Sequence, residues 1–228
     1  RILLMLTMLV IATTNQNKLK EFKEIFKDLD IEVRSLADFG PIPEIVEDGA
    51  TFDDNAYKKA HQTARILGLP TIADDSGLVV EALDGAPGVF SARYSGEDAT
   101  DDENVTKLLT ELQGVENRKA QFQCVLSIAV PSGPALTYEG NCDGVIIDER
   151  RGDNGFGYDP VFYFEEFDKT FAELTMEEKN RVSHRGKALS QVKNEIQQIK
   201  KWLEQRLFEE KPPKPDHSQF ENNDWSDQ

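Results

Sequence analysis

The feature that most constrains this chain is a pair of adjacent carboxylates set into an apolar stretch, IADDSGLVVEALDGAPGVFSARYSG, residues 72–96. Pro70 to Ala73 read as the end of a strand that delivers Asp74 and Asp75 to its terminus, with Ser76 and Gly77 following. Leu78 to Leu83 form a second apolar run, and Gly85, Pro87 and Gly88 turn the chain before Ser91, Ala92 and Arg93. Neighbouring carboxylates repel and are costly to bury, so a fold keeps them together with a cation between them or with one facing water. On these residues alone a charged turn between two strands fits equally well. The rest of the chain decides between them.

With 228 residues, 39% of them apolar and 13 of them Phe, the chain is long enough to bury a full core as one domain. Its net charge of −16 argues against nucleic-acid binding, which needs a basic face. A small phosphorylated ligand stays open, because it needs only a few placed cations and a metal. Cys124 and Cys142 show no CxxC spacing, so a disulfide scaffold is not expected and a reducing compartment is the default. The opening RILLMLTMLVIA is too short to span a bilayer and has no small-residue cleavage site after it. Met8 to Thr13 read as a buried first strand, residues 1–7 as its extension or a start-site artefact, and no membrane role is expected.

Thr13 to Lys18 join this strand to a helix carrying Leu19, Phe22, Ile25, Phe26 and Leu29 at three- and four-residue spacing. A polar strand-to-helix turn with a first-turn lysine suits an anion, through free N–H groups and the helix dipole. The same residues also suit ordinary N-capping. Ile31 to Leu36 read as a strand, and a proline-marked connector bearing Glu44, Glu47 and Asp48 follows. Thr51, with Asp54 as the acid of a capping box, opens a helix ended by Gly68 and Pro70. Lys58 and Lys59 point to different sides of it, and one of them reaches toward the carboxylates.

DATDDENVTKLLTELQG reads as an amphipathic helix stopped by Gly114. Residues 119–130 and 136–147 read as a hairpin centred near residue 133, which sets the two cysteines opposite each other as reduced thiols. In RRGDNGFGYDPVFYF, glycines flank Phe156 and free its ring to stack on a nucleobase; the alternative is a core position. Lys179, His184 and Arg185 are suited to phosphate or base edges, or else form a solvated loop. Lys187 to Leu207 read as one long helix, and residues 211–228 as a disordered tail without periodicity.

Four stretches occur in order: TTNQNKLKEF, ADDSGL with GAPGVFSARYSG, NGFGYDPVF, and ELTMEEKNRVSHRGKAL. Together they closely resemble the inosine triphosphate pyrophosphatase family across residues 8–207. Thr14 stands where many members have glycine or serine, and residues 1–7 and 211–228 match no part of the pattern. The resemblance implies an elongated two-lobed α/β fold, a long central mixed sheet flanked by helices, with the nucleotide in the cleft. It implies a single domain over residues 1–210, a homodimer in the cytoplasm, and Mg²⁺ as cofactor. The implied reaction converts non-standard purine triphosphates (ITP, dITP, XTP) to the monophosphate and pyrophosphate, which keeps them out of DNA and RNA.

Residue by residue, the resemblance makes Thr13, Thr14, Asn15, Gln16, Asn17 and Lys18 the phosphate cradle, with Lys59 and Ser76 near the phosphates. Phe156, Gly157, Tyr158, Asp159, Lys179, His184 and Arg185 match base and phosphate contacts. Glu47 and Asp75 match the metal carboxylates, and Asp75 also the proton acceptor. Charge agrees: a triphosphate entering so acidic a chain needs local screening, and Lys18, Lys59, Lys179 and Arg185 can supply it. Donors on His184, Arg185 or nearby backbone would favour a 6-oxo purine over adenine. Maf-like pyrophosphatases are disfavoured by SHRG and GFGYDP, a turnover-free nucleotide regulator by the retained Glu47, Asp74 and Asp75, and an aspartyl-phosphate hydrolase by the lack of an alternating DxD.

Overall fold

A computed structural model describes residues 8–29 and 31–209. The expectations for residues 1–7 and 211–228 lie outside the described residues. Seven strands form one mixed sheet in the order β2-β1-β3-β4-β5-β6-β7. They are β1 (Met8–Ile11), β2 (Glu32–Ser35), β3 (Thr71–Val80), β4 (Lys119–Ala129), β5 (Ala135–Ile146), β6 (Phe162–Phe164) and β7 (Lys169–Thr170). The first three are parallel and the remaining pairings are antiparallel. The helices are α1 (Gln16–Phe26), α2 (Phe52–Leu67), α3 (Asp101–Glu111), α4 (Met176–Val182), α5 (His184–Asn194) and α6 (Ile196–Glu209). Thr51 caps α2 by accepting the Asp54 N–H, and Gly68 closes it in the left-handed conformation.

Strand side chains alternate between faces, and on β3 that alternation organises the molecule. Ile72 belongs to one apolar core with Leu9, Phe22, Leu126, Leu189 and Leu203. Leu78 and Val80 belong to a second with Leu108, Phe122, Phe162 and Phe171. Asp74 and Ser76 sit between them on the same face, so two lobes share one sheet with a polar gap at their junction. The opposite face carries α2, packed through Ala60 on Ala73 and Ala129 and through Phe52 and Ala56 on Val125.

Three expectations change. β3 does not end at the carboxylates but runs through both of them. The pleat sends Asp74 and Asp75 to opposite faces, where each finds its own partners, so their repulsion does not break the strand. The hairpin register pairs Phe122 with Cys142 and Cys124 with Gly140. Its loop, residues 130–134, is centred on residue 132 rather than 133, and both cysteines are buried free thiols offset from each other. The C-terminal helix is two helices, broken at Glu195, whose carboxylate accepts the Tyr138 hydroxyl. The apolar stripe from Leu189 through Ile196 to Leu203 continues across the break, so periodicity alone joins them.

Candidate active site

The site follows from the shortness of β1. β1 pairs with β3 only at Val10–Thr71 and Ile11–Ile72, while β3 extends to Val80. Farther along, the edge is occupied again by the turn Gly88–Arg93, where Ser91 Oγ accepts the Leu78 N–H at 2.9 Å. Between these two neighbours a cavity of about 590 Å³ opens beside Asp75, Ser76 and Gly77, within the usual size for a small-molecule pocket.

At one end Asn15 caps α1, its Oδ1 accepting from Asn17 N at 2.9 Å and Lys18 N at 3.1 Å. Thr13 Oγ1 takes the Asn15 N–H. The amides read as free for an anion are thus largely engaged by the loop's own side chains. Thr13, Thr14, Asn15 and Lys18 line the cavity, whereas Gln16 and Asn17 do not.

On the α5 face of β3 lies a buried ion network. Asp74 Oδ2 accepts from Lys18 Nζ at 2.9 Å, Arg185 Nη2 at 2.9 Å and Ser76 Oγ at 3.1 Å. Arg185 also bonds Glu21 and donates to Ser76 Oγ at 2.7 Å. Lys179 bridges Asp159 at 2.7 Å and Glu21 at 3.1 Å. Burial would raise the Asp74 carboxyl, but Lys18, Arg185 and Lys59 override it and hold it well below the usual range. Glu21 is likewise held low by Arg185 and Lys179 against its burial. Lys179, opposed by burial, is kept protonated by Asp159 and Glu21. The SHRG glycine makes this packing possible: a Cβ on Gly186 would lie 1.9 Å from the Asn180 carbonyl oxygen.

The α2 face differs. Asp75 accepts a neutral donor, Asn55 Nδ2, at 3.1 Å, and its Oδ1 takes the Ser76 N–H. Burial pushes the Asp75 carboxyl up to about 6, despite Lys59, Lys18 and the Asn55 bond, and Glu47 adds to the rise. Lys59 bonds Glu47 at 2.7 Å. Burial opposes its charge, but Asp74, Glu47 and Asp75 together raise its proton affinity. Lys58 pairs instead with Asp48 outside the cavity. The cations read as free screens are therefore already paired. Lys18, Lys59, Lys179 and Arg185 face Glu21, Glu47, Asp74, Asp75 and Asp159, so an incoming polyanion must exchange partners with them.

At the far end Phe156 is half-buried and lines the cavity, between glycines 155 and 157 with φ of 77° and 61°. Lys179 Nζ lies 4.7 Å from its ring centroid. Tyr158 and Asp159 are buried anchors: the Tyr158 hydroxyl donates to Ser91 O at 2.9 Å, and Asp159 accepts the Phe156 N–H at 2.9 Å. Gly157 N donates to Asp101 at 2.7 Å. His184 lines the cavity and stacks on Phe122, with centroids 4.7 Å apart. Burial, then Arg185 and Lys179, holds it neutral, and its buried Nδ1 lacks a partner among the described residues. Lys179, His184 and Arg185 are all buried, which removes the solvated-loop reading.

Two site residues escaped the sequence reading. Glu21 shares the inward stripe of α1 with Lys18, and a charged pair three residues apart on an apolar face was its signal. Asn55 gave no signal beyond being polar on the Ala-rich face of α2.

The Ham1 family model matches residues 9–195. The dITP/XTP pyrophosphatase of Desulfotalea psychrophila is 72% identical and covers 97% of this chain and 100% of its own length. The Geobacter sulfurreducens dITP/XTP pyrophosphatase is 52% identical over 84% of this chain and 97% of its own. The chain belongs to the Ham1 family. A Ham1 protein from Coxiella burnetii superposes with a TM-score of 0.78 at 44% identity, covering 84% of this chain and 98% of its own. The family resemblance and the two-lobed mixed-sheet fold read from the sequence are both borne out. One detail is corrected: the Desulfotalea relative covers most of residues 211–228, so the tail has a counterpart there.

Among the described residues, no three His, Cys, Asp or Glu side chains gather into a closed metal cage. The donors nonetheless fit a hard cation. Glu47 and Asp75 are carboxylates lining one cavity, and Glu47 raises the proton affinity of Asp75, a repulsion that a divalent ion would relieve. Mg²⁺ takes one or two carboxylates with substrate oxygens and waters.

Proposed function

We propose that this cavity binds a non-standard purine nucleoside triphosphate, ITP, dITP or XTP, and that the chain hydrolyses it to the monophosphate and pyrophosphate. The chain is a nucleoside-triphosphate pyrophosphatase, as its family and relatives are. One observation carries the mechanism: Asp75 is a buried carboxyl lining a cavity walled by Lys18, Lys59 and Phe156, and in the metal-free protein its burial pushes it up to about 6. A base of raised proton affinity suits withdrawal of a proton from water. As the water oxygen bonds to phosphorus, one proton passes to Asp75, the α–β bridge breaks, and pyrophosphate leaves.

The remaining residues bind and orient. Phosphate oxygens draw Lys18 from Asp74 and Lys59 from Glu47, replacing one anionic partner with another, while Thr13, Thr14 and Asn15 offer side-chain hydrogen bonds and Ser76, its hydroxyl committed to Asp74, lies beside the phosphates. Glu47 and Asp75 would hold Mg²⁺, which neutralises charge on the phosphate oxygens when bound. Phe156 stacks on the base without selecting it. Selection falls to the base edge, where Asp159 and Asp101 already occupy the Phe156 and Gly157 N–H groups. Arg185 has four of its five N–H donors engaged. That leaves His184 and the last Arg185 N–H to meet a 6-oxo acceptor. Against adenine the Arg185 N–H faces another donor, at ~1–3 kcal/mol per unsatisfied group, or roughly tenfold to a few hundredfold in selectivity. Steady-state kcat/KM for ITP, XTP, GTP and ATP, with and without Mg²⁺, tests the reading: comparable values for ITP and ATP overturn it.

A homodimer in the cytoplasm belongs to the same reading. It is supported by the family resemblance, by two buried thiols left unbridged, and by exposed apolar side chains such as Phe90. Among the described residues no helix is long and apolar enough to cross a membrane.

A further inference from the structure

We infer that Asn55 is a positioning residue that locks the Glu47-bearing connector and Asp75 into one unit. Both ends of its carboxamide are engaged. Nδ2 donates to Asp75 Oδ2 at 3.1 Å, and Oδ1 accepts the Gly49 N–H at 2.7 Å. A backbone N–H can only donate, so Oδ1 faces the connector and Nδ2 faces Asp75; the amide has one workable orientation.

Asn55 is 1% exposed and sits in the first turns of α2, which packs on β3 and β4. It is therefore held by a rigid element, as a group that sets catalytic geometry needs to be. The connector is different: residues 40–50 contain no helix or strand and are largely exposed. Lys59 and the Arg93 guanidinium hold Glu47 itself, through its carboxylate and its carbonyl. Asn55 alone among these three bonds both the connector and Asp75, so it couples the position of the connector directly to that of Asp75. Gly49 completes the contact. A Cβ there would lie 2.6 Å from Asn55 Oδ1 and 2.7 Å from Asp54 Cβ, so the backbone can approach only without a side chain.

The inference rests on Asp75 as the proton acceptor, and the test separates the two. The full chain carrying Asn55→Asp, Asn55→Ala, Gly49→Ala or Asp75→Asn is assayed for ITP hydrolysis with Mg²⁺. Amide hydrogen exchange across residues 41–51 is measured without nucleotide or metal. Asn55→Asp keeps an acceptor for Gly49 but removes the donor to Asp75. Its kcat falls about 10- to 100-fold, as for other groups that orient a reactive side chain, its KM stays within about twofold, and connector exchange matches wild type. Asn55→Ala loses kcat similarly and exchanges faster across the connector. Gly49→Ala lies outside the helices, leaves the core packed, and reproduces the faster exchange with a lowered kcat. Asn55→Asp with near wild-type kcat, or with its loss confined to KM, overturns the inference, as does unchanged exchange in Asn55→Ala or Gly49→Ala. An active Asp75→Asn overturns the Asp75 reading and the inference with it. An inactive Asp75→Asn beside a fully active Asn55→Asp overturns the inference alone.

Discussion

On the α5 side of β3, Asp74 accepts from two cations and a hydroxyl and is held ionised; on the α2 side, Asp75 meets a neutral amide and is pushed up to about 6. The two residues are consecutive, so composition and local sequence cannot tell them apart. The pleat does, by sending them into different surroundings. The Asp74 side is a web of opposite charges in which every group fixes another, and buried ion pairs of this kind set geometry more than they add stability. The Asp75 side leaves proton affinity unspent, and a buried carboxyl in a cleft with raised affinity is suited to chemistry. One strand thus carries an acid fixed in an ion web and an acid of raised proton affinity.

The largest expected effect tests the reactive side. Asp75→Asn lowers kcat for ITP by ~10²–10⁴-fold through loss of a positioned base, while nucleotide binding, read by calorimetry, persists. Near wild-type turnover in the folded variant would erase the distinction. Next comes the structural side: Asp74→Asn leaves Lys18 and Arg185 short of a buried partner and lowers urea-unfolding stability by ~3–5 kcal/mol at neutral pH. Because its carboxyl is held low, the Asp74 contribution is full above the ordinary value near 3.8 and is lost as pH falls below it. The gap to wild type therefore narrows in acid.

The same substitution one residue on has the opposite sign. Holding Asp75 ionised when its carboxyl has moved from 3.8 to about 6 opposes folding, so metal-free Asp75→Asn gains ~1–3 kcal/mol at pH 8. The folded protein binds this proton more tightly than the unfolded chain, so the gain opens as pH rises from about 4 through about 6 and is flat above. A destabilised Asp75→Asn would make both carboxylates structural. The smallest effect is a control belonging to neither carboxylate: Phe156→Ala raises KM for ITP about tenfold through lost stacking and leaves kcat nearly unchanged. A matching fall in kcat would tie the ring to the chemistry rather than to binding.

What the sequence disclosed was local. Thr51 announced α2, alternating residues announced the β4–β5 hairpin, and the stripe of Leu19, Phe22 and Phe26 announced α1. The motif stretches also identified most of the cavity lining before any fold was known. What stayed hidden depended on distant partners. β3 runs through two carboxylates because Arg185, 111 residues away, meets Asp74, and no window around Asp74 contains that fact. Lys18, Lys59, Lys179 and Arg185 read as free charge because their acids lie on other elements. Glu21 and Asn55 passed as ordinary helix residues, and the break at Glu195 left the apolar stripe intact.

The shortness of β1 has a consequence beyond making room for a ligand. A strand edge without a neighbour invites another chain to pair with it, and natural sheets guard such edges with charge. On β3 the outward main-chain groups alternate: the Ile72 carbonyl accepts from Ala12 N, and the Leu78 and Val80 N–H groups bond Ser91 Oγ and the Ala86 carbonyl. Between them the Ser76 N–H is taken by Asp75 itself. Asp75 therefore leaves the interrupted edge one N–H fewer with which to pair another strand. One side chain, Asp75, thus serves the cleft and blunts the sheet edge beside it.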